Sequence, residues 1–219
     1  PWYVQFYNYV IRTLKGDLGK SFITRTSVTE TLKQKIPNTA RLALTAVILS
    51  TIMGVTIGVI SAVYQNTWID HAAMTFALFF ISAPVFWFGM ILIYLFSMTL
   101  GWLPISGMGE GAFNIKHLIL PTITLGSRFA AFLARYTRSV MLEVIREDYI
   151  RTARAKGIKE RVVILKHALR NVMIPVVTVV GMNFASLLNG SVLTETIFAW
   201  PGFGRYVVSA IMKRDFQVI

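Results

Sequence analysis

"LALTAVILSTIMGVTIGVISAV", residues 42–63, runs for 22 positions without one charged side chain. At about 1.5 Å of rise per residue, a helix of that length crosses the roughly 30 Å hydrocarbon core of a bilayer. Lipid offers no partner for backbone N–H and C=O groups, so such a run satisfies them within itself, as a helix. The stretch therefore predicts a membrane-spanning helix.

Three further segments repeat the pattern. Residues 72–100, "AAMTFALFFISAPVFWFGMILIYLFSMTL", are uncharged and long enough to tilt. Pro84 within them predicts a kink, because proline removes a ladder hydrogen bond. Residues 172–193 are polar only through Thr178, Asn183, Ser186, Asn189 and Ser191. Residues 118–140 contain Arg128, Arg135 and Arg138. An arginine at a helix centre costs roughly 2.5–3.5 kcal/mol, and the rest of the run offsets one such charge, not three. Arg135 and Arg138 are thus expected near an interface, with Arg128 facing protein or water. No Asp or Glu falls within these four spans.

Composition agrees. The 219 residues are 55% hydrophobic and 15% charged, with a mean hydropathy of +0.60. The net charge of +12 does not indicate nucleic acid, because long uncharged runs separate the charges instead of gathering them on one face. There is no cysteine, so thiolate metal sites are excluded. The chain starts on Pro1 and stops just as a new apolar run could begin, which predicts truncation at both ends.

Loop charges set the orientation. Residues 141–171 hold eight Lys and Arg, and residues 103–117 hold only Lys116. The basic connection is therefore expected in the cytoplasm, with residues 64–71 also inside. Residues 1–36, 103–117 and 195–216 then lie outside. Residues 1–36 read as an extracytoplasmic leader with short helices ahead of a transmembrane domain, residues 37–219. Trp2, Phe6, Tyr9, Val10 and Thr13 recur at helical spacing, which suits an interfacial helix. "SVTE", residues 27–30, fits a capping box that starts a short helix, with Pro37 as its expected end.

Motifs for chemistry are sparse. "GDLGKS", residues 16–21, ends like a phosphate loop, but the required glycine five positions before Gly19 is Leu14, and no strand precedes it. His71, His117 and His167 have no ligand-spaced companions. No catalytic or metal site is expected.

The basic loop contains "EDYIRTARAKGIKERVVILKHALRN", residues 147–171. Asp148 places acid in the first turn of a short helix and Gly157 is placed to end it. Beyond the glycine, Ile158, Val162, Leu165 and Leu169 form one apolar stripe, which predicts a second short amphipathic helix. Such an element either rests on anionic lipid or docks into a soluble partner.

"DYIRTARAKG", followed by "HALRN" and by "ETIFAWPGFGR" (residues 195–205), closely resembles the permease subunits of ATP-binding-cassette importers of the dipeptide, oligopeptide and nickel group; "GDLGKS" is similar to a stretch of the same family. Arg151, Thr152 and Ala153 fall on the triplet of the family's cytoplasmic signature and Gly157 on its glycine, with His167, Leu169 and Arg170 on later positions. Only Ala153, Gly157 and Leu169 match the general form; the departures are similar to those of the peptide branch.

The resemblance implies an all-α polytopic bundle of the type I importer permease kind, lacking the first and most of the last of six membrane helices. It implies a coupling helix at residues 148–156, seated in a groove of a separate ATPase. Tyr149, Ile150 and Ala153 would anchor it, Arg151, Arg154 and Lys156 would meet polar rim groups, and Thr152, Ala155 and Gly157 would complete the element. The implied partners are a second homologous permease, two ATPase subunits, an extracytoplasmic binding protein and membrane lipid, with no nucleic acid. The chain itself would be non-catalytic and need no cofactor, ATP and Mg belonging to the ATPase. It would sit in a bacterial or archaeal cytoplasmic membrane. Ser82, Asn183, Ser186 and Asn189, polar within spans, are candidates both for helix packing and for lining the substrate path. The expected cargo is a dipeptide or oligopeptide, with nickel or glutathione as the alternative. An ion-coupled secondary transporter is the rival class, disfavoured by the lack of acids in the spans.

Overall fold

The structure, a computed structural model, describes residues 1–109, 114–188 and 191–219. Among them the regular elements are helical, apart from an isolated bridge between Lys20 and Ser27. The element order is α1 (Trp2–Leu14), α2 (Val28–Val63), α3 (Trp68–Ser82), α4 (Val85–Leu92), wide π turns at Ile93–Thr99, α5 (Ile115–Val144), α6 (Asp148–Ala155), α7 (Glu160–Val162), π turns at Val163–Ala168, α8 (Leu169–Leu188), α9 (Val192–Ile197) and α10 (Phe203–Lys213). Three rods are long and apolar enough to cross a membrane: α2, α5 and the continuous Glu160–Leu188; α3 with the segment after it makes a fourth crossing if counted together. The chain is thus an all-α, multi-pass membrane protein.

α2 starts where the capping box places it, the Ser27 side chain accepting from the Glu30 N–H. It does not stop at Pro37. The helix continues through the proline to Val63, so the expected boundary between residues 36 and 37 falls inside one rod. The residue after the proline is tied to a distant loop: Asn38 Nδ2 donates to the Pro201 carbonyl at 3.1 Å, and Trp200 Nε1 donates to the Asn38 carbonyl at 3.0 Å.

The second apolar segment is broken, not kinked. Ala83 and Pro84 are extended, as the residue before a proline prefers, and the axes on either side meet at 104°. α3 also begins at Trp68, four residues before the expected span, and so carries Asp70, which is 1% exposed.

α2 and α5 form the centre. Gly54, Gly58 and Ala62 follow one ridge of α2 at four-residue intervals, and Gly126, Ala130 and Ala134 follow the facing ridge of α5. A Cβ placed on Gly58 would lie 2.6 Å from the Ala134 carbonyl oxygen, and one on Gly126 would lie 3.0 Å from the Ala46 carbonyl oxygen. Such backbone approach is how membrane helices gain van der Waals contact where no hydrophobic effect separates them from lipid tails. Towards one end, Leu133 and Met141 of α5 continue this core into Ile150, Ala153, Val163, Ile164, Ala168 and Val172.

Candidate functional site

The residues expected to form the coupling helix lie at that end. α6 spans Asp148–Ala155, with Lys156 as its cap and Gly157 at φ +71°. The Gly157 N–H donates to the Arg154 carbonyl at 2.9 Å and the Ile158 N–H to the Ala153 carbonyl at 3.4 Å, the paired bonds of a glycine-terminated helix. Arg154 then spans the bend: its Nη2 lies 2.6 Å from Glu160 Oε1 and its Nε 3.0 Å from Glu160 Oε2.

Ile150 and Ala153 correct an expectation. Both are buried in the chain's own core, at 0% and 7% exposure, so they fasten α6 to α5 and the following rod and are not free to anchor a partner. The outward face consists of Tyr149, Arg151, Thr152, Arg154, Ala155, Lys156 and Gly157. The Tyr149 hydroxyl accepts from Asn171 Nδ2 at 2.5 Å, and Arg151 lies 3.6 Å from Asp148, both side chains being open to solvent.

The second amphipathic helix is not separate. Residues from Glu160 onward are the first turns of the rod ending at Leu188. Its buried face is Val163, Ile164, Ala168 and Val172, whereas Val162 and Leu165 of the expected stripe are 39% and 49% exposed. The π turns at Val163–Ala168 rotate the face away from simple 3.6-residue spacing.

Beside α6 lies a cluster missed at the sequence level. Arg138 Nε and Nη2 reach Asp70 Oδ1 and Oδ2, each at 2.7 Å. Asp70 also accepts from the Ser61 hydroxyl and, at 2.9 Å, from the Asn66 N–H. This fork joins the turn between α2 and α3 to the last turns of α5. Arg138 lies in the last turns of α5, and the acid 68 positions away gave no local signal.

The path candidates scatter. Asn183 lines a cavity of about 560 Å³ between the α3–α4 break, α5 and α8, with Arg128 on the opposite helix. Ser82 is exposed and borders a shallower recess with Phe79, Pro84, Phe86 and Trp87. Ser186 is exposed outside both, and Asn189 lies outside the described residues.

At the opposite end the loop containing Trp200 caps the helices. Trp200 is 1% exposed, and Glu195, 0% exposed, accepts from the Thr39 hydroxyl at 2.7 Å and the Arg205 N–H at 2.8 Å. "GDLGKS" joins this end as well: the Ser21 hydroxyl donates to Asp215 Oδ2, the Phe22 N–H to Asp215 Oδ1 at 3.0 Å, and Gln217 Nε2 to the Leu18 carbonyl at 2.6 Å. The bond from Ser21, with help from Phe22, holds the Asp215 carboxyl below its ordinary value of 3.8. A lowered carboxylate stabilises the fold fully above that ordinary value and loses the contribution progressively as pH falls from there through the lowered one. Limited proteolysis of residues 15–27 should therefore be constant from neutral pH to about 5 and rise below about 4, with Asp215→Asn abolishing the pH step. Equal cleavage at all pH values would show that the clasp does not hold the segment.

Comparison with known proteins follows the same lines. Residues 54–219 match the family described as "Binding-protein-dependent transport system inner membrane component". The glutathione transport system permease protein GsiC of Salmonella choleraesuis (strain SC-B67) is 46% identical over all 219 residues, which span 70% of that protein. The same permease of Escherichia coli (strain K12) is 45% identical over the same spans. Among solved structures, the inward-facing MetNI methionine ABC transporter aligns with a TM-score of 0.64 at 19% identity, over 82% of this chain and 79% of that one. An amino acid ABC transporter crystallised with histidines gives 0.64 at 17% identity, over 87% and 83%. The two structures show a shared fold.

Proposed function

The chain belongs to the family of binding-protein-dependent transport system inner membrane components, and from that premise we propose that it carries short peptides into the cytoplasm of a bacterium, driven by separate ATPase subunits that grip α6. The observation that supports this best is the two-sidedness of α6. Its apolar residues Ile150 and Ala153 bind it rigidly to the ends of two spanning rods, and its cationic and small residues face outward. A push on that face is passed through a packed core to α5 and α8, as rocking of rigid helices between inward and outward states requires. A soluble binding protein outside and a second permease beside this one complete the proposed assembly. The nearness of the chain to permeases named for glutathione supports a tripeptide of that kind as cargo, beside dipeptides and longer peptides.

The test uses purified ATPase subunits of the same transporter and the exposed face alone. Ala153→Asp is a poor probe, because it buries a charge in this chain's own core. Arg151→Asp and Tyr149→Ala leave that core intact, and together are expected to weaken ATPase capture at least about tenfold, about 1.4 kcal/mol, and to reduce ATP-dependent peptide uptake in step. Unchanged capture with both substitutions would refute docking through α6. Uptake of glutathione, dialanine and Ni²⁺ by the assembled transporter then identifies the cargo class.

A further inference from the structure

We propose that Arg128 and Asn183 form a carboxylate-recognition point on the path through this subunit, engaged in transit by the terminal carboxylate of a short peptide. The proposal rests on the transport reading above and names a contact for its cargo.

Arg128 lies near the middle of α5, the depth at which a guanidinium is most costly. Arginines persist there when they face a counter-charge or a water-filled cavity. Among the described residues Arg128 has no ion pair: Asp70 is taken by Arg138, Glu160 by Arg154 and Asp148 by Arg151. The sequence holds no other acid between Asp70 and Glu143 except Glu110, which precedes α5.

Arg128 is exposed and lines the cavity of about 560 Å³ described above. Of the residues lining that space, Arg128 and Asn183 alone are polar; Phe129, Phe132 and Met182 are among the apolar remainder. Asn183 lines the same space, and its Nδ2, buried in the structure, has no hydrogen-bond partner, so this amide donor is not committed to joining helices. The cavity thus offers a planar five-donor fork, beside an unpaired amide donor that rotation of the Asn183 side chain would turn into it, with no acidic side chain. That set fits a carboxylate, which accepts two parallel N–H bonds from arginine. Phe129 and Phe132 stack at a centroid distance of 6.2 Å and supply an apolar wall for the rest of a peptide. The volume falls within the usual range for small-molecule sites, about 300–1,000 Å³.

The absence of native cysteine allows a direct test. Met182→Cys places a thiol on the cavity wall of the assembled transporter, and labelling of this chain is read by mass spectrometry. A negatively charged sulfonatoethyl methanethiosulfonate and its positively charged trimethylammonium counterpart are compared. With Arg128 present the anionic reagent is expected to be favoured. Arg128→Gln should lower the anionic-to-cationic rate ratio at least about tenfold, the lower end of what field focusing in a low-dielectric cleft provides, and Arg128→Lys should restore part of it. S-methylglutathione, which has both carboxylates but no thiol, should slow labelling with Arg128 and not with Arg128→Gln; its diester should slow neither. An unlabelled thiol, or a ratio unaltered by Arg128→Gln, overturns the proposal. Uptake measured in the same vesicles separates it from the reading it rests on. Peptide uptake that proceeds with neither ratio nor KM sensitive to Arg128 removes the site alone. A preserved charge preference with no ATP-dependent peptide uptake removes the transport reading and leaves an anion site.

Discussion

Gly58→Leu is expected to prevent α2 and α5 from closing, with a loss of at least about 3 kcal/mol and little folded protein recovered from detergent extracts. Even a single methyl at this position would meet the Ala134 carbonyl oxygen and the Thr137 Cβ, both at 2.6 Å. One of those atoms is backbone in the middle of a packed helix and has no rotamer by which to withdraw. Leucine adds three more carbons to that collision, so the rods must separate, and the contacts between Gly54, Gly126, Ala130 and Ala134 are diluted with them. Gly181→Ala is the control. Position 181 lies within α8, with nothing inside 4 Å of an added Cβ. There alanine should shift stability by no more than about 1 kcal/mol, in the favourable direction set by helix propensity. Thermal unfolding of the two variants, followed by fluorescence-detected size exclusion, checks the contrast; equal melting would show that the α2–α5 approach is not limiting.

The second large effect is expected at Asp70. Asp70→Ala removes the acceptor of four hydrogen bonds and strands the Arg138 guanidinium, whose side chain is 24% exposed. Breaking one partner of a buried pair costs about 3–5 kcal/mol, and partial access of Arg138 to solvent reduces this to about 2–3 kcal/mol. The double variant Asp70→Ala with Arg138→Met should regain most of the loss, because no uncompensated charge remains and the methionine fills part of the arginine's volume. A double-mutant cycle on the same thermal assay reads the coupling directly. Strictly additive losses would mean that the two side chains act independently.

Hydropathy located the crossings because it sums over about 20 residues and is insensitive to any one of them. The bounds of α6 were legible for a local reason: acid in a first turn and a glycine past the last turn are signals within ten positions. Pro37 does not end its helix, and the contacts that fix the following turn, from Trp200 and Pro201 to Asn38, lie more than 160 positions away where no local signal reaches. Pro84 was under-read in the opposite sense, since whether such a proline bends or breaks a helix depends on what packs around it. The stripe at Ile158, Val162, Leu165 and Leu169 failed because π turns change the residues per turn, and a fixed period then points at the wrong face. The α2–α5 seam was readable and passed over: Gly54 and Gly58 form a Gly-x-x-x-Gly pair inside the opening apolar run. In the candidate site, Asn183 was found as an isolated polar residue in an apolar span. Its neighbour Arg128 was noticed only as an insertion cost, because the cavity joining them is a property of three segments at once.

The clasp of Ser21, Phe22 and Leu18 on Asp215 and Gln217 also imposes a timetable. Its two sides are separated by 193–199 positions, so during synthesis the early segment waits unpaired while the rods between them are made and inserted. Chains grow at about 5–20 residues per second, which leaves that segment exposed for roughly ten seconds or more. The clasp therefore closes only after the rods between its two sides have been made, and its closure registers that they have crossed in the number and sense that bring Leu18, Ser21 and Phe22 to the same side as Asp215 and Gln217.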